Sequence, residues 1–177
     1  MTGTEDKAVN GDIFYYFAYG SNMLDERMKL MNKTAKYFGN GEVLGYKLAF
    51  YDHSDTWHGA TASIEENPDS IIYGCIYSVS REEEAILDQQ EKGYHRITIP
   101  VRNIKTKQVL YCRSYQISNP NKKENLPSSA YKIVFTTGAI MHKLPEKYLE
   151  YLLDIKDNGE LDKINVPLKC LIDIQLP

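Results

Sequence analysis

Glu91 is the side chain whose type and placement point most directly to chemistry. It follows Leu87-Asp88-Gln89-Gln90 at the end of a segment that opens with capping-box spacing, Ser80-Arg81-Glu82-Glu83, and an alternating apolar segment begins at Tyr94. A carboxylate at such a junction can point into the mouth of a sheet or barrel. Desolvation there raises its pKa toward the range useful for proton transfer. An exposed glutamate at a helix end fits the same pattern, and on pattern alone it is the simpler reading. A second feature lies early in the chain. Phe14-Tyr15-Tyr16-Phe17-Ala18-Tyr19 reads as a buried strand, Gly20-Ser21-Asn22 breaks it, and Leu24, Met28 and Met31 then repeat at helical spacing over 23–32. A strand, a short loop and a helix start gather backbone N–H groups in one concavity, which suits a carboxylate or an oxyanion. A plain turn in which Ser21 or Asn22 caps the helix suits it equally.

Other reactive side chains make weaker cases. Cys75 and Cys112 sit inside apolar strand patterns as small core residues, and with Cys170 they form an odd, widely spaced set. Free thiols in a reducing, cytoplasmic compartment are expected, with neither a disulfide framework nor a metal knuckle. His58 sits in a Trp57-His58-Gly59 corner where a structural imidazole is the simpler role, and His53, His95 and His142 have no metal-ligand spacing. Glu82, Glu83 and Glu84 crowd a helix start, where the dipole favours them as structural acids. No phosphate loop, dinucleotide fingerprint or nucleophile elbow occurs, so no cofactor is expected.

Charge and hydropathy narrow the partners. The 177 residues carry a net charge of −3, with 15 acids and 7 bases in residues 1–90 against 9 acids and 14 bases in 91–177. The later bases are scattered and form no stripe, so a nucleic-acid partner is not expected. No apolar run is long enough to span a bilayer, and Met1–Asp12 is polar and acidic, unlike a signal peptide. Residues 1–12 are expected to form a flexible tail, and 13–177 a single domain.

The positioning elements follow from periodicity. Strands are predicted over 42–51 (Leu44, Tyr46, Leu48 and Phe50 on one face), 60–64, 71–79 (buried on both sides), 94–101 and 109–117 (Val109, Tyr111, Arg113, Tyr115 and Ile117 on one face). Lys105-Thr106-Lys107 is the predicted hairpin turn. Helices are predicted over about 80–90, over 128–142 with Tyr131, Val134, Phe135, Gly138 and Met141 on one stripe, and from Leu144-Pro145-Glu146 with Leu149, Leu152 and Leu153 inward. A polar loop spans 119–127. Three strands in succession without helices between them argue for an α+β domain, a curved antiparallel sheet or compact barrel flanked by helices.

Phe17-Ala18-Tyr19-Gly20-Ser21-Asn22 resembles the signature of the γ-glutamylcyclotransferase family. Thr56-Trp57-His58-Gly59, Leu87-Asp88-Gln89-Gln90-Glu91, Cys112-Arg113-Ser114-Tyr115 and Tyr131-Lys132-Ile133 with Gly138-Ala139 resemble family segments in the same order, so the resemblance runs from about Phe14 to Tyr151. It implies a compact β-barrel flanked by helices, a cytosolic homodimer, and conversion of a small-molecule γ-glutamyl substrate to 5-oxoproline without a cofactor. It implies Glu91 as general acid and base, the Tyr16 to Ser21 segment (Tyr16, Phe17, Ala18, Tyr19, Gly20, Ser21) as the substrate loop and Tyr131 as a substrate-binding tyrosine. On residues alone, Tyr131 is equally well a core aromatic. Asn22 and Tyr94 are further pocket candidates, although only Lys92 and Gly93 separate Glu91 from Tyr94, fewer residues than in longer relatives. The Trp57-His58-Gly59 and Tyr131 to Ala139 matches favour γ-glutamyl amino acids as substrates. A γ-glutamylamine or glutathione-specific cyclotransferase of the same fold, or a non-catalytic small-molecule binder, remain alternatives.

Overall fold

The computed structural model describes residues 12–162 and 164–175. Five strands close into a barrel in the order β1-β3-β2-β4-β5: β1 is Ile13–Ala18, β2 Lys36–Ser54, β3 Gly59–Ser80, β4 Tyr94–Asn103 and β5 Val109–Ile117. Four neighbouring pairs are antiparallel, as expected, but the closing pair is parallel, with Tyr16 opposite Arg113. β1 is the strand that seals the barrel. Its apolar sequence suits that place, because Phe14, Tyr16, Phe17 and Ala18 are all buried. Apart from Asp12, the expected N-terminal tail lies outside the described residues.

β2 and β3 form one long hairpin, where separate short strands were predicted. Its register shifts between Tyr37 and Gly39, between Leu44 and Tyr46, and between Tyr51 and Ser54. Such irregularities bend strands and let a long ribbon curl around a core. The shift beside Gly45 (φ +80°) also turns Leu44 outward, 65% exposed, although alternation had placed it with Leu48. The polar stretch 65–70 continues β3, and its side chains are half-buried or exposed, none of them buried. On β5, Val109 and Tyr111 face solvent, while Cys112, Ser114 and Tyr115 are buried, so the inward face at its start is the opposite of the predicted one. The Lys105-Thr106-Lys107 turn forms as expected, with Asn103 Oδ1 accepting from the Lys105 and Thr106 N–H groups at 3.0 and 3.2 Å.

The helices attach the site to this barrel. A 3-10 turn, Ser21–Met23, follows β1 and leads into a short α1, Asp25–Lys29. The predicted ten-residue helix ends early, so Met31 is exposed while Leu24 and Met28 are buried. Another 3-10 turn, Arg81–Glu83, opens α2, Glu84–Gln90, and then come α3, Ser129–Met141, and α4, Glu146–Leu153. Ser128 caps α3 by accepting from the Tyr131 N–H at 3.0 Å. Met141 and Leu153 fall at the ends of their helices and are exposed, correcting their predicted inward places. A last helix, α5 (Lys169–Gln175), has no counterpart among the predicted elements.

α3 lies directly on the 3-10 turn that carries Ser21 and Asn22. A Cβ at Gly138 would come within 2.5 Å of Leu24 N and Met23 C, so this helix accepts glycine's cost of about 1 kcal/mol in exchange for close approach. Below that contact, Phe17, Met23, Met28, Tyr77 and Phe135 form part of the core, each fully or almost fully buried and stabilising the fold by roughly 1.5–3 kcal/mol.

Candidate active site

Glu91 is the C-terminal cap of α2, and the rest of that helix fixes it in place. Leu87 is fully buried, and Asp88 Oδ1 accepts from the Tyr115 hydroxyl at 2.6 Å. Glu84 is paired with Arg113 at 2.5 Å and Arg96 at 3.2 Å. Ser80 caps the turn by accepting from the Glu82 N–H at 3.4 Å, in place of the Glu83 N–H that a capping box would use. The reciprocal bond of a capping box is also absent, because the buried Glu83 carboxylate turns to Thr34, accepting from its N–H at 2.6 Å and from its hydroxyl. Glu91 N–H then donates to Leu87 O at 3.1 Å, and Glu91 O accepts from Tyr94 N–H at 3.0 Å across Lys92 and Gly93. Gly93, at φ +89°, supplies the left-handed residue this tight return needs. The short link therefore keeps Tyr94 in the site, with its hydroxyl 2.8 Å from both Thr61 Oγ1 and the Ala62 carbonyl.

The Glu91 carboxyl group faces three polar neighbours. Asn22 Nδ2 donates to its Oε1 at 3.2 Å, Tyr16 donates its hydroxyl proton, and the Arg27 guanidinium acts on it as a nearby positive charge. Each favours the ionised form, yet burial outweighs them and pushes Glu91 up to about 7. Burial and the adjoining carboxyl together hold Tyr16 well above the usual phenol range, so it remains a donor. Asn22 is itself positioned: its Nδ2 lies 3.1 Å from Tyr16 Oη, its Oδ1 accepts from Gln90 Nε2 at 3.4 Å, and Gln90 Oε1 accepts from Asn32 Nδ2 at 2.7 Å. An ordered relay of amides thus backs the carboxyl.

Tyr131 forms the opposite wall. Its ring packs against Trp57 (centroids 5.1 Å apart) and Phe135 (5.5 Å). Its oxygen accepts from the Ala62 N–H at 3.1 Å and from the Ser21 N–H. Both acceptor positions are thereby used, and burial keeps the phenol protonated, at about 12. What remains to it is one O–H donor at the cavity wall. The loop N–H of Ser21, expected to face a ligand, is instead spent on aiming this hydroxyl.

These walls enclose an outer chamber of about 420 Å³ and, beyond it, an inner recess of about 40 Å³. Ser21, Asn22, Glu91, Tyr94 and Tyr131 line both. Tyr16, Tyr19, Gly20 and Tyr115 belong to the recess, whereas Arg27 and Trp57 belong to the chamber. Tyr19 is locked by a 2.5 Å hydrogen bond from its hydroxyl to Tyr115 O. Two residues of the expected substrate loop stand apart. Phe17 and Ala18 line neither space; both are core residues, and the Phe17 carbonyl accepts from Ser114 Oγ at 3.0 Å. Trp57 reaches the chamber, while His58 (φ +58°) holds the corner, its carbonyl accepting from Asn158 Nδ2 at 2.9 Å. Among the described residues no cluster of three or more His, Cys, Asp or Glu side chains could hold a metal. Cys75 and Cys112 are buried, and burial raises both thiols, Cys112 to about 12, which disfavours thiolate nucleophiles.

Arg27, Gln90, Asn32, Thr61 and Tyr115 were not foreseen as site residues. Arg27 had left a trace, being a charge three residues after Leu24 and beside Met28, on the edge of the apolar stripe. Tyr115 lay within the Cys112-Arg113-Ser114-Tyr115 segment but read as one alternating strand residue among several.

The AIG2-like family model matches residues 71–152, the stretch that carries Glu91, Tyr94 and Tyr131. The curated γ-glutamylcyclotransferase of Bos taurus is 33% identical over 178 residues, covering 96% of this chain and 94% of the relative. That of Homo sapiens is 32% identical over 180 residues, covering 97% and 92%. A solved γ-glutamyl cyclotransferase structure superposes with a TM-score of 0.83 at 32% identity, over 92% of this chain and 98% of the other. The chain belongs to the γ-glutamylcyclotransferase family.

Proposed function

We infer that the protein cyclises γ-glutamyl amino acids, releasing 5-oxoproline and a free amino acid. The observation that carries this reading is the Glu91 carboxyl, raised to about 7 and set against the Tyr131 hydroxyl at the boundary of recess and chamber. In the reaction the substrate's α-amine attacks its own γ-carbonyl. The new C–N bond closes a five-membered lactam, and the amide C–N bond to the amino acid breaks. The nucleophile is supplied by the substrate, so the protein has three tasks: to fold the substrate, to move a proton and to stabilise the oxyanion.

Glu91 takes a proton from the α-ammonium and later delivers one to the departing nitrogen. Raising the carboxyl from 4.5 to about 7 makes the first transfer less uphill by roughly 3 kcal/mol, at ~1.4 kcal/mol per pH unit. The Tyr131 O–H is the donor for the charge that develops on the carbonyl oxygen, and the Ser21 and Ala62 N–H groups polarise it by donating to its oxygen. Three unpaired thiols, Cys75, Cys112 and Cys170, support a cytoplasmic location. The family resemblance supports a homodimer.

Incubation with γ-glutamyl-alanine should yield equal amounts of 5-oxoproline and alanine. N-acetyl-γ-glutamyl-alanine, whose amine cannot attack, should yield neither. Alanine release from the acetylated compound at a comparable rate would overturn the intramolecular mechanism.

A further inference from the structure

We propose that Arg27 binds the α-carboxylate of the departing amino acid and so determines that this protein acts on γ-glutamyl amino acids in preference to γ-glutamyl amines. The inference rests on the cyclotransferase reading above. Arg27 lies on α1, with its guanidinium 5.6 Å from the centroid of the Trp57 ring that helps to wall the outer chamber. Its Nε is buried and has no hydrogen-bond partner, and among the described residues no carboxylate comes within 4.0 Å of it in an ion pair. The acid that acts on it is Glu91, which the reaction itself uses. A desolvated cation with an unspent donor is costly to keep unless an anion arrives. Arginine stays charged in such surroundings, and its planar fork matches a carboxylate through two parallel hydrogen bonds.

The geometry also indicates which carboxylate. Glu91 and Tyr131 line both spaces, so the bond that breaks lies between them at the boundary. The ring-forming glutamyl portion then lies on the recess side of that boundary, reaching only in part into the small space between the tyrosines and Gly20, which Arg27 does not line. The leaving portion remains in the chamber, which Arg27 does line. An amino acid carries its carboxylate on the carbon next to the departing nitrogen, within reach of a group on that wall. A simple amine carries nothing there.

Besides Glu91 and the phenols of Tyr51, Tyr94 and Tyr131, the other charged or titratable groups facing the chamber are Asp52, His53 and Lys92. Asp52 is occupied by the loop after β5, accepting from the Lys123 N–H at 3.0 Å and Asn119 Nδ2 at 3.4 Å. His53 lies beside Asp55 at 3.8 Å. Lys92 is exposed on the turn after Glu91, where a hydrated ammonium on a flexible stem discriminates little.

The test compares γ-glutamyl-alanine with γ-glutamyl-ethylamide, which differs by the carboxylate alone. The unmodified protein should favour the alanine compound by roughly a hundredfold in kcat/KM, as sites built around a polar group reject analogues that lack it. Arg27→Gln removes a charge that favours ionised Glu91 and should slow both substrates to a common extent, but it should lose about a hundredfold more on γ-glutamyl-alanine than on the ethylamide, collapsing the preference toward one. Arg27→Lys should fall between. Equal losses on both substrates in correctly folded Arg27→Gln would assign Arg27 to the glutamyl portion or to the scaffold, and would overturn the proposal. If the variants do not fold, the parent protein still decides: γ-glutamyl-alaninamide, with its carboxylate masked, should be as poor as the ethylamide, and turnover equal to γ-glutamyl-alanine overturns the proposal. Failure of the parent to form 5-oxoproline from any of these compounds would instead remove the cyclotransferase reading itself.

Discussion

Glu91→Gln is expected to fold like the parent, bind γ-glutamyl-alanine with similar affinity and lose about a hundredfold or more in kcat, the usual contribution of a general acid–base group. The amide keeps the shape of the side chain, and its oxygen can still accept from Asn22 Nδ2 and the Tyr16 hydroxyl, so the backing relay is undisturbed. It cannot carry a proton between the substrate amine and the departing nitrogen. Glu91→Ala should lose turnover and weaken binding as well, because Asn22 and Tyr16 are left without their acceptor. Glu82→Gln, an exposed position in the 3-10 turn before α2, is a suitable control and should change little. Glu83 is not, since its buried carboxylate ties Thr34 to the helix start. Calorimetric binding beside single-turnover kinetics separates the two effects. Turnover by Glu91→Gln close to that of the parent would favour the non-catalytic alternative.

Gly20→Val should abolish activity by a different route. A Cβ at Gly20 already lies 3.0 Å from Tyr131 Oη and 3.5 Å from Ala62 Cβ. Valine adds two methyl groups there, and the recess of about 40 Å³ has no space for them beside a substrate. The branched side chain must displace the Tyr131 hydroxyl from the Ser21 and Ala62 N–H groups, fill the recess, or both. Turnover below about one hundredth of the parent's is expected, with binding lost alongside it. Gly20→Ala, whose single carbon sits at the 3.0 Å contact, should retain partial activity because the phenol can shift by a few tenths of an ångström. Circular dichroism would establish that the valine variant is folded. A folded Gly20→Val protein with full turnover would place the site elsewhere.

The sequence was most readable where one periodicity met one environment. β1 is buried as its continuous aromatic run implies, β4 is buried at Ile99 and Val101, and α3 is buried at Tyr131, Val134, Phe135 and Gly138, where their apolar spacing points. It misled where an element ended or bent. Met31, Met141 and Leu153 continue a helical spacing past or up to the last turn, beyond the reach of the core. Leu44 keeps the alternation of β2, but the irregularity at Gly45 breaks the register that alternation assumes. Val109 and Tyr111 show that a strand with apolar residues on both faces does not reveal which one the barrel encloses.

The site divides in the same way. Glu91 and the Tyr16–Ser21 segment could be singled out because a motif resemblance tied them to chemistry, yet Phe17 and Ala18 within that segment turn into the core. Gln90, Asn32 and Thr61 reach the site only through the fold: the Asn32–Gln90 bond joins residues 58 apart in the chain, and no local pattern encodes such a meeting. The raised carboxyl was legible in outline from the place of Glu91 between a helix and a strand, but the burial that produces it is supplied by the fold.

The central claim, that a buried Glu91 carboxyl moves the proton, is tested most directly by the pH dependence of kcat/KM for γ-glutamyl-alanine, measured on the parent and on Glu91→Gln. Ionised Glu91 is the base. Its value is raised above the ordinary carboxylate range, so activity should fall as the pH drops through about 7, the value set by burial against Arg27, Tyr16 and Asn22. The residual activity of Glu91→Gln should lack that limb. A parent profile that stays flat through pH 7 and falls only near 4.5, or an unchanged limb at 7 in Glu91→Gln, would contradict the account.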